Sequence, residues 1–475
     1  MQSKVRKNTF FVSIGQITKM ALALVLFPVG AHYLGPGGFN NYLLASTVMY
    51  FLFLFNDLGM NTYLTREISK DPSKTNDFYI NALLIKLVVI FVDVIILAVF
   101  LAVLDYSTEA NIAILIFAIY GISTSLFELN AAVFRAHERM EFETIFTVLE
   151  KVITTVAGIY VLMKGWGLFA FCAVFTAGGF ISIVISTLFA KKYFVKFKFS
   201  FDYSFARKIV KNSLPFGISL TLAYIYNSVG IILISKIQPE NVAGWFSTPA
   251  RMLHFTSIIP MILSIAIFPA LSREMVYAKE KFSKLYSKGF KYISYIALPL
   301  MTGIFMLADK IALNIFGAEY IGSPIVLRII AVAAGLLYFN IYLAAVFNAA
   351  NKQRLLVAIQ LSALTLNIVL NLFLIPQFAH QGAAIVMTIT ESFIFLICVS
   401  YAMIKIARLQ EYLFIIKALL ASLCMGIILF AFHEVNLFLM VFSGAAIYFL
   451  ILYLFKGFTI QEIFEFKKGH VESRK

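Results

Sequence analysis

What most constrains this chain is a length that keeps returning: uninterrupted apolar runs of about 20 residues, the length at which an α-helix crosses a hydrocarbon core. Such runs lie at 9–33, 39–63, 79–104, 111–134, 143–163, 167–190, 213–235, 243–269, 289–308, 324–347, 355–375, 381–404, 414–432 and 437–455, with short segments rich in Lys, Arg, Pro and Gly between them. A spanning β-strand needs only about ten residues and alternates polar with apolar, so runs of this length predict helices. Only 13% of residues are charged against 61% hydrophobic, and mean hydropathy is +0.89, which excludes an ordinary soluble domain. The expected fold class is an all-α polytopic membrane protein with about fourteen transmembrane helices, one per run.

The charges orient the runs. The N-terminal segment, the C-terminal tail and every second loop, taken with Lys291 at the start of run 9, hold 30 of the 39 Lys and Arg, whereas the alternate loops hold Lys164, Lys236 and Lys310. By the positive-inside rule both termini are expected in the cytoplasm. The formal net charge of +15 then calls for anionic membrane lipids as partners and not for nucleic acid. The first run is too long for a cleaved signal and lacks a small-residue cleavage site, so it reads as a membrane helix. Cys172, Cys398 and Cys424 fall inside runs, and no disulfide framework is expected.

Run 2 leaves the apolar phase as LTREI (Leu64–Ile68), and run 8 leaves it as LSREM (Leu271–Met275). AVFRAHER (Ala132–Arg139) follows run 4 and AVFNAANK (Ala345–Lys352) follows run 10; KNT (Lys7–Thr9) enters run 1 and KNS (Lys211–Ser213) enters run 7. Six crossings return a chain to its starting side, so runs 1–6 and 7–12 are expected to be two parallel repeats. Parallel repeats are a transporter architecture with the substrate site between the halves. The expected division is an N-lobe at 1–198, a cytoplasmic linker at 199–212, a C-lobe at 213–408, two appended helices at 409–456 and a cytoplasmic tail at 457–475.

These segments carry a family resemblance. LGPGGFNNYLLAS (Leu34–Ser46), DLGMNTYLTREIS (Asp57–Ser69), FRAHERMEF (Phe134–Phe142), SLPFGISL (Ser213–Leu220) and VAGWFSTPARMLHFTSIIPMILSIAIFPALSR (Val242–Arg273) occur in order along most of the chain. In this the chain resembles the oligosaccharide flippases, or polysaccharide biosynthesis proteins, of the multidrug/oligosaccharidyl-lipid/polysaccharide exporter superfamily. The resemblance implies a secondary transporter of the cytoplasmic membrane that moves lipid-linked oligosaccharide by alternating access. A polysaccharide polymerase and glycosyltransferases are its expected functional neighbours. A lipid II flippase and a cation-coupled multidrug exporter are the alternatives within the superfamily. Asn40 departs from the family pattern, which commonly has Gly before its aromatic position; only a local backbone effect is expected there.

Polar groups inside runs carry the chemistry, because a charge in lipid is costly and usually faces a cavity. Lys19 lies near the middle of run 1 with Gln16 one turn before it, too deep to snorkel easily. Arg251 in run 8 shares a helical face with Ser247 and His254. Run 2 places Ser46, Tyr50, Asp57 and Asn61 on one stripe, and run 7 places Thr221, Tyr224 and Ser228 on another. Lys19, Arg251, Lys86, Gln16, Tyr50, Tyr224 and His254 are therefore expected to bind substrate. The cations would balance the phosphate of a lipid carrier, with Lys19 and Arg251 meeting it from the two halves. Asp57, Asp93, Glu128 and Glu391 are expected to couple ions or to act structurally. Lys86 and Asp93 stand about 10.5 Å apart along one helix, too far to pair, so each needs another partner. Glu128 and Asp57 have Arg135 and Arg66 within reach, and His32 and Arg328 read as interface anchors. No GxxxxGK[ST] loop occurs, so ATP is not the expected fuel, and neither a metal nor a cofactor is called for. The longest outer loop, 309–323, is too short for a catalytic centre, which argues against an enzyme.

Overall fold

The computed structural model describes residues 2–198, 201–432 and 435–458. The expected tail beyond residue 458 lies outside the described residues, as do the side chains of Lys7, Thr9 and Thr221. The described chain is helical throughout and contains no strand. In order the helices are α1 (Gln2–Asp57), α2 (Met60–Lys70), α3 (Thr75–Leu104), α4 (Thr108–Ala136), α5 (Met140–Met163), α6 (Gly167–Tyr193) and α7 (Tyr203–Ile237). There follow α8 (Glu240–Thr256), α9 (Ile258–Tyr277), α10 (Lys279–Met306), α11 (Ala308–Ile311), α12 (Ser323–Ala349), α13 (Gln353–Tyr401), α14 (Leu413–Ala431) and α15 (Leu437–Leu454).

Two of these are hairpins. Gly35 breaks α1 at φ 65°, a backbone conformation that glycine reaches without penalty. Beyond the break the chain folds back, because the rings of Phe27 and Phe39 meet at 5.0 Å. Twelve residues of straight helix would hold them about 18 Å apart. In α13 the break is Ala379 (φ 49°, ψ −129°), a strained conformation for a residue with a side chain. There Asn367 Nδ2 donates to Thr390 Oγ1 at 3.2 Å, which brings the two legs together. Among the described residues eleven stretches are long and apolar enough to cross a membrane. Eleven is fewer than the fourteen expected: α1 and α13 each carry two of the apolar runs in one continuous stretch, and in α7 a shorter apolar segment, Ser228–Ile237, is present.

Several helices begin earlier than their apolar runs. The segment 272–288, expected as a loop, is helical on both sides of Ala278. It is built of good helix formers, Glu280 pairs with Lys284 one turn on, and Phe282, Tyr286 and Phe290 form a buried stripe at i, i+4 spacing. Likewise α7 begins at Tyr203, where the Asp202 side chain caps it by accepting from the amides of Ser204 and Phe205. A hydropathy run ends where lipid ends; a helix need not.

The chain forms two compact units, Met1–Thr248 and Pro249–Lys475. The first has an aromatic centre in which Tyr42, Phe117, Phe171 and Phe175 pack ring against ring. Gly178 and Gly179 let α6 lie directly against Thr154 of α5 and Tyr120 of α4, the close approach by which small residues hold membrane helices together. In the second unit Tyr286, Phe290, Phe339 and Tyr342 stack between α10 and α12.

Candidate functional site

The first unit holds two polar clusters, one partly and one fully buried. One joins α1, α4 and α5. Arg135 bridges Glu128 at 2.8 Å and Glu143 at 3.4 Å, so Glu128 finds the partner expected for it. Higher in the bundle, Lys151 donates to Tyr120 Oη at 2.9 Å and to Glu150 Oε1 at 3.0 Å, and the Tyr120 hydroxyl donates to the same carboxylate at 2.7 Å. Glu150 and Tyr120 are buried, so the triad is a hydrogen-bonded charge pair of the kind a low-dielectric interior tolerates. Lys19 is half-buried in α1, within the electrostatic field of Lys151, Glu128, Glu143 and Glu150. Gln16, one turn earlier, is exposed.

The other cluster joins α1, α3 and α4. Lys86 is fully buried, with Nζ 3.5 Å from Asp57 Oδ1 and 3.0 Å from Ser125 Oγ. Ser125 donates to Asn56 Oδ1, and the Asn56 amide returns to the Lys86 carbonyl at 3.3 Å. Asp57 thus pairs with Lys86 and not with Arg66, which turns to Glu67. Asp57 also accepts from the amide of Asn61 at 3.2 Å, spanning the break between α1 and α2. Asp93 is two turns from Lys86 and buried, and lies beside Asn56 in an apolar crevice bordered by Leu52, Phe53, Ala118 and Gly121.

A polar stripe runs along the contact of α1 with α7. Tyr50 and Tyr224 pack with ring centroids 4.5 Å apart and planes tilted by 45°, and Tyr224 donates to the Thr47 carbonyl at 3.0 Å. Asn40 corrects the expectation of a merely local effect. It is buried, exchanges hydrogen bonds with Ser235 at 3.1 and 3.2 Å, and accepts from Ser247 at 2.8 Å. A glycine there would leave two hydroxyls of α7 and α8 without this partner.

In the second unit Arg251 and His254 lie one turn apart on α8, each within the other's field. Glu391 is buried and receives Asn340 Nδ2 at 2.7 Å. Arg328 pairs with Asp309 at the start of α12. Among the described residues no group of three or more His, Cys, Asp or Glu is placed to hold a metal. The structure therefore gathers Lys19 with Glu128, and Lys86 with Asp57 and Asp93, into the first unit, while Arg251, His254 and Glu391 belong to the second.

Sequence reasoning passed over Glu143, Glu150 and Lys151, although all three sit in run 5 and stand out by the rule that singled out Lys19. Tyr120, Asn56 and Ser125 carried no such signal, because hydroxyls and amides in membrane helices are common and most bond locally.

Comparison with known proteins agrees with this architecture. Residues 5–275 match the family model described as polysaccharide biosynthesis protein. The chain is 23% identical over 456 residues to the probable low-salt glycan biosynthesis flippase Agl15 of Haloferax volcanii, covering 91% of this chain and 94% of that protein. It is 23% identical over 394 residues to the putative O-antigen transporter of Escherichia coli K12, covering 82% and 94%. A lipid II flippase MurJ solved in an inward closed conformation superposes with a TM-score of 0.77 at 15% identity, covering 94% of this chain and 98% of that one, which shows a shared fold. Relatives and neighbours are flippases and transporters, not enzymes. A multi-pass all-α membrane protein with this fold and this family match belongs to the polysaccharide biosynthesis protein family.

Proposed function

We propose that the protein is a flippase that carries lipid-linked oligosaccharide, on a polyprenyl phosphate or diphosphate, across the cytoplasmic membrane by alternating access. Its lobes are 1–198 and 213–408, joined by 199–212, with 409–456 appended and both termini in the cytoplasm. The observation that carries this reading is Lys19: a cation at membrane depth, half-buried and accompanied by Lys151, in a chain whose relatives are named as glycan flippases and O-antigen transporters. An anionic headgroup crossing lipid needs such counter-charge, since an unpaired charge there is strongly disfavoured. Lys19 and Arg251 meet the phosphate, Tyr50, Tyr224, Gln16 and His254 replace water around the sugar, and anionic lipids surround the basic loops. The other expected cation, Lys86, serves its unit first, since it is fully enclosed with Asp57 and Ser125.

A cation-coupled exporter is a second reading, favoured by one observation: three carboxylates share the field of Lys19 with a single lysine. A vesicle-flipping assay with lipid-linked oligosaccharide separates the two. Lys19→Gln and Arg251→Gln should each reduce flipping at least tenfold per folded molecule, and Lys19→Arg should retain part of it because the charge is kept. Unaltered flipping by both Gln variants, together with uptake of a cationic dye that Glu143→Gln abolishes, would establish the exporter instead.

A further inference from the structure

Asp93 is the one acidic residue of the two clusters that the flippase reading leaves without work. It is 7% exposed, and its Oδ1 has no hydrogen-bond partner. The carboxyl is helped by the Asn56 amide, whose other N–H serves the Lys86 carbonyl, and by the more distant charge of Lys86. From α1 and α4 it faces Leu52, Phe53, Ala118, Gly121 and Ile122, none of them charged. The nearest cation, Lys86, is about 10.5 Å along the same helix, and its ammonium already holds Asp57 and Ser125. Asp57 and Glu128 are the other charged groups in the field of Lys86. An ionised carboxylate in this crevice would be buried and nearly unpaired, among the costliest arrangements a membrane helix can hold.

We propose that Asp93 is a proton-binding site, and that its occupancy sets how firmly Lys86 pairs with Asp57. With the proton bound, the carboxyl is neutral and Lys86 stays with Asp57, as the structure shows. When the proton leaves for water at the membrane surface, the new carboxylate, too far along α3 to pair directly, acts on the Lys86 ammonium through its field and weakens the hold of Lys86 on Asp57. Charge balances: one proton leaves, one negative charge appears, and Lys86, already within its field, then answers to two carboxylates in place of one.

The consequence reaches the backbone. Asp57 ends α1, and Leu58 (φ 46°) and Gly59 (φ 76°) form the left-handed break before α2. The Asp57 carboxylate holds that break by accepting from the Asn61 amide. Gly217 brings α7 against the Leu58 backbone at the same point, where any side chain would collide. Weakening the pair of Lys86 with Asp57 therefore loosens a junction of α1, α2 and α7, so a proton in the crevice is read as a change in helix geometry. Proton binding supplies the differential interaction that a two-state transporter needs.

The test uses the full-length protein in vesicles of phosphatidylethanolamine and phosphatidylglycerol, with aspartate carboxyls labelled by carbon-13, and no cargo, so its outcome is independent of the flippase reading. Infrared difference spectra between acidic and alkaline buffer in potassium chloride should show loss of one labelled protonated-carboxyl band. The band should be missing in Asp93→Asn. In Asp93→Glu it should vanish from aspartate-labelled protein and return in glutamate-labelled protein, which keeps the test alive if the amide variant does not insert. Hydrogen exchange at residues 58–63, corrected for the intrinsic pH dependence of exchange, should quicken on alkalinisation in the native protein. In Asp93→Asn it should stay at the acidic level. Persistence of the band in Asp93→Asn, or equal pH response of exchange in both proteins, would overturn the proposal. So would loss of the band when sodium replaces potassium at constant pH, since the occupant would then be a metal cation.

Discussion

The two units of this protein bury polarity in different ways. In Met1–Thr248, charged side chains pair with one another: Lys86 with Asp57, Lys151 with Glu150, and Arg135 with Glu128 and Glu143. In Pro249–Lys475 the buried carboxylate Glu391 is met by an amide, Asn340. That unit also holds an apolar groove of about 860 Å³ among α9, α10, α12, α14 and α15, lined by residues such as Tyr295, Pro299, Tyr338 and Tyr448. A buried ion pair is a device with two states, because removing one member exposes the full cost of the other, whereas an amide–carboxyl bond degrades gently. The first unit is thus built to respond to charge and proton, and it holds an apolar groove of its own, of about 790 Å³, beside Phe100 and Tyr224.

The comparison breaks most clearly at Lys86. Lys86→Met leaves Asp57 buried without its ammonium, and should cost about 3–5 kcal/mol of folded-state stability. Thermal unfolding in detergent, followed by circular dichroism, should show a large drop for Lys86→Met and recovery in the double variant with Asp57→Asn. A single variant as stable as the native protein would remove the contrast between the units. Asn40→Gly comes next: loss of the bonds to Ser235 and Ser247 should cost about 1–2 kcal/mol in the same assay. Glu391→Gln in the second unit keeps shape and hydrogen bonding to Asn340, so its cost should stay near 1 kcal/mol or below. An effect as large as that of Lys86→Met would show that Glu391 bears charge in the same way as the first unit.

The smallest effect sharpens the comparison at the membrane surface. His137, just past α4, hydrogen-bonds Thr75 Oγ1 at 3.0 Å and packs on Phe194, and partial burial lowers its pKa. A histidine whose folded pKa is depressed binds protons more readily when unfolded. Its contribution is therefore complete above the ordinary histidine value and is lost as pH falls from there toward the lowered one. Unfolding midpoints measured across that window should decline slightly on acidification, and His137→Gln should flatten the decline.

Much of the fold was legible before any coordinates. The break at Gly35 is written in LGPGG, and the charged exits after runs 2, 4 and 8 mark real helix ends near Lys70, Ala136 and Tyr277. The α13 hairpin was legible as two runs but not in its geometry, since nothing marks Ala379 as the turning residue until Gly382 is seen against the Leu374 carbonyl. The early starts of α7 and α10 escaped hydropathy because polar, aromatic-striped helix carries no apolar signal. At the site, a charge inside an apolar run was readable for Lys19, Lys86, Asp93 and Glu391, and equally available for Glu150 and Lys151.

The sequence by itself determined that the chain is a helical membrane protein, and which positions hold charge within lipid, because the cost of a polar group in hydrocarbon depends only on residue type and depth. Partnership was decided by tertiary structure alone. Asp57 had Arg66 nearby in sequence and found Lys86, 29 residues away, because the turn after α2 and the packing of α3 on α1 bring those faces together. Pairing strength falls with distance in space and takes no account of separation along the chain.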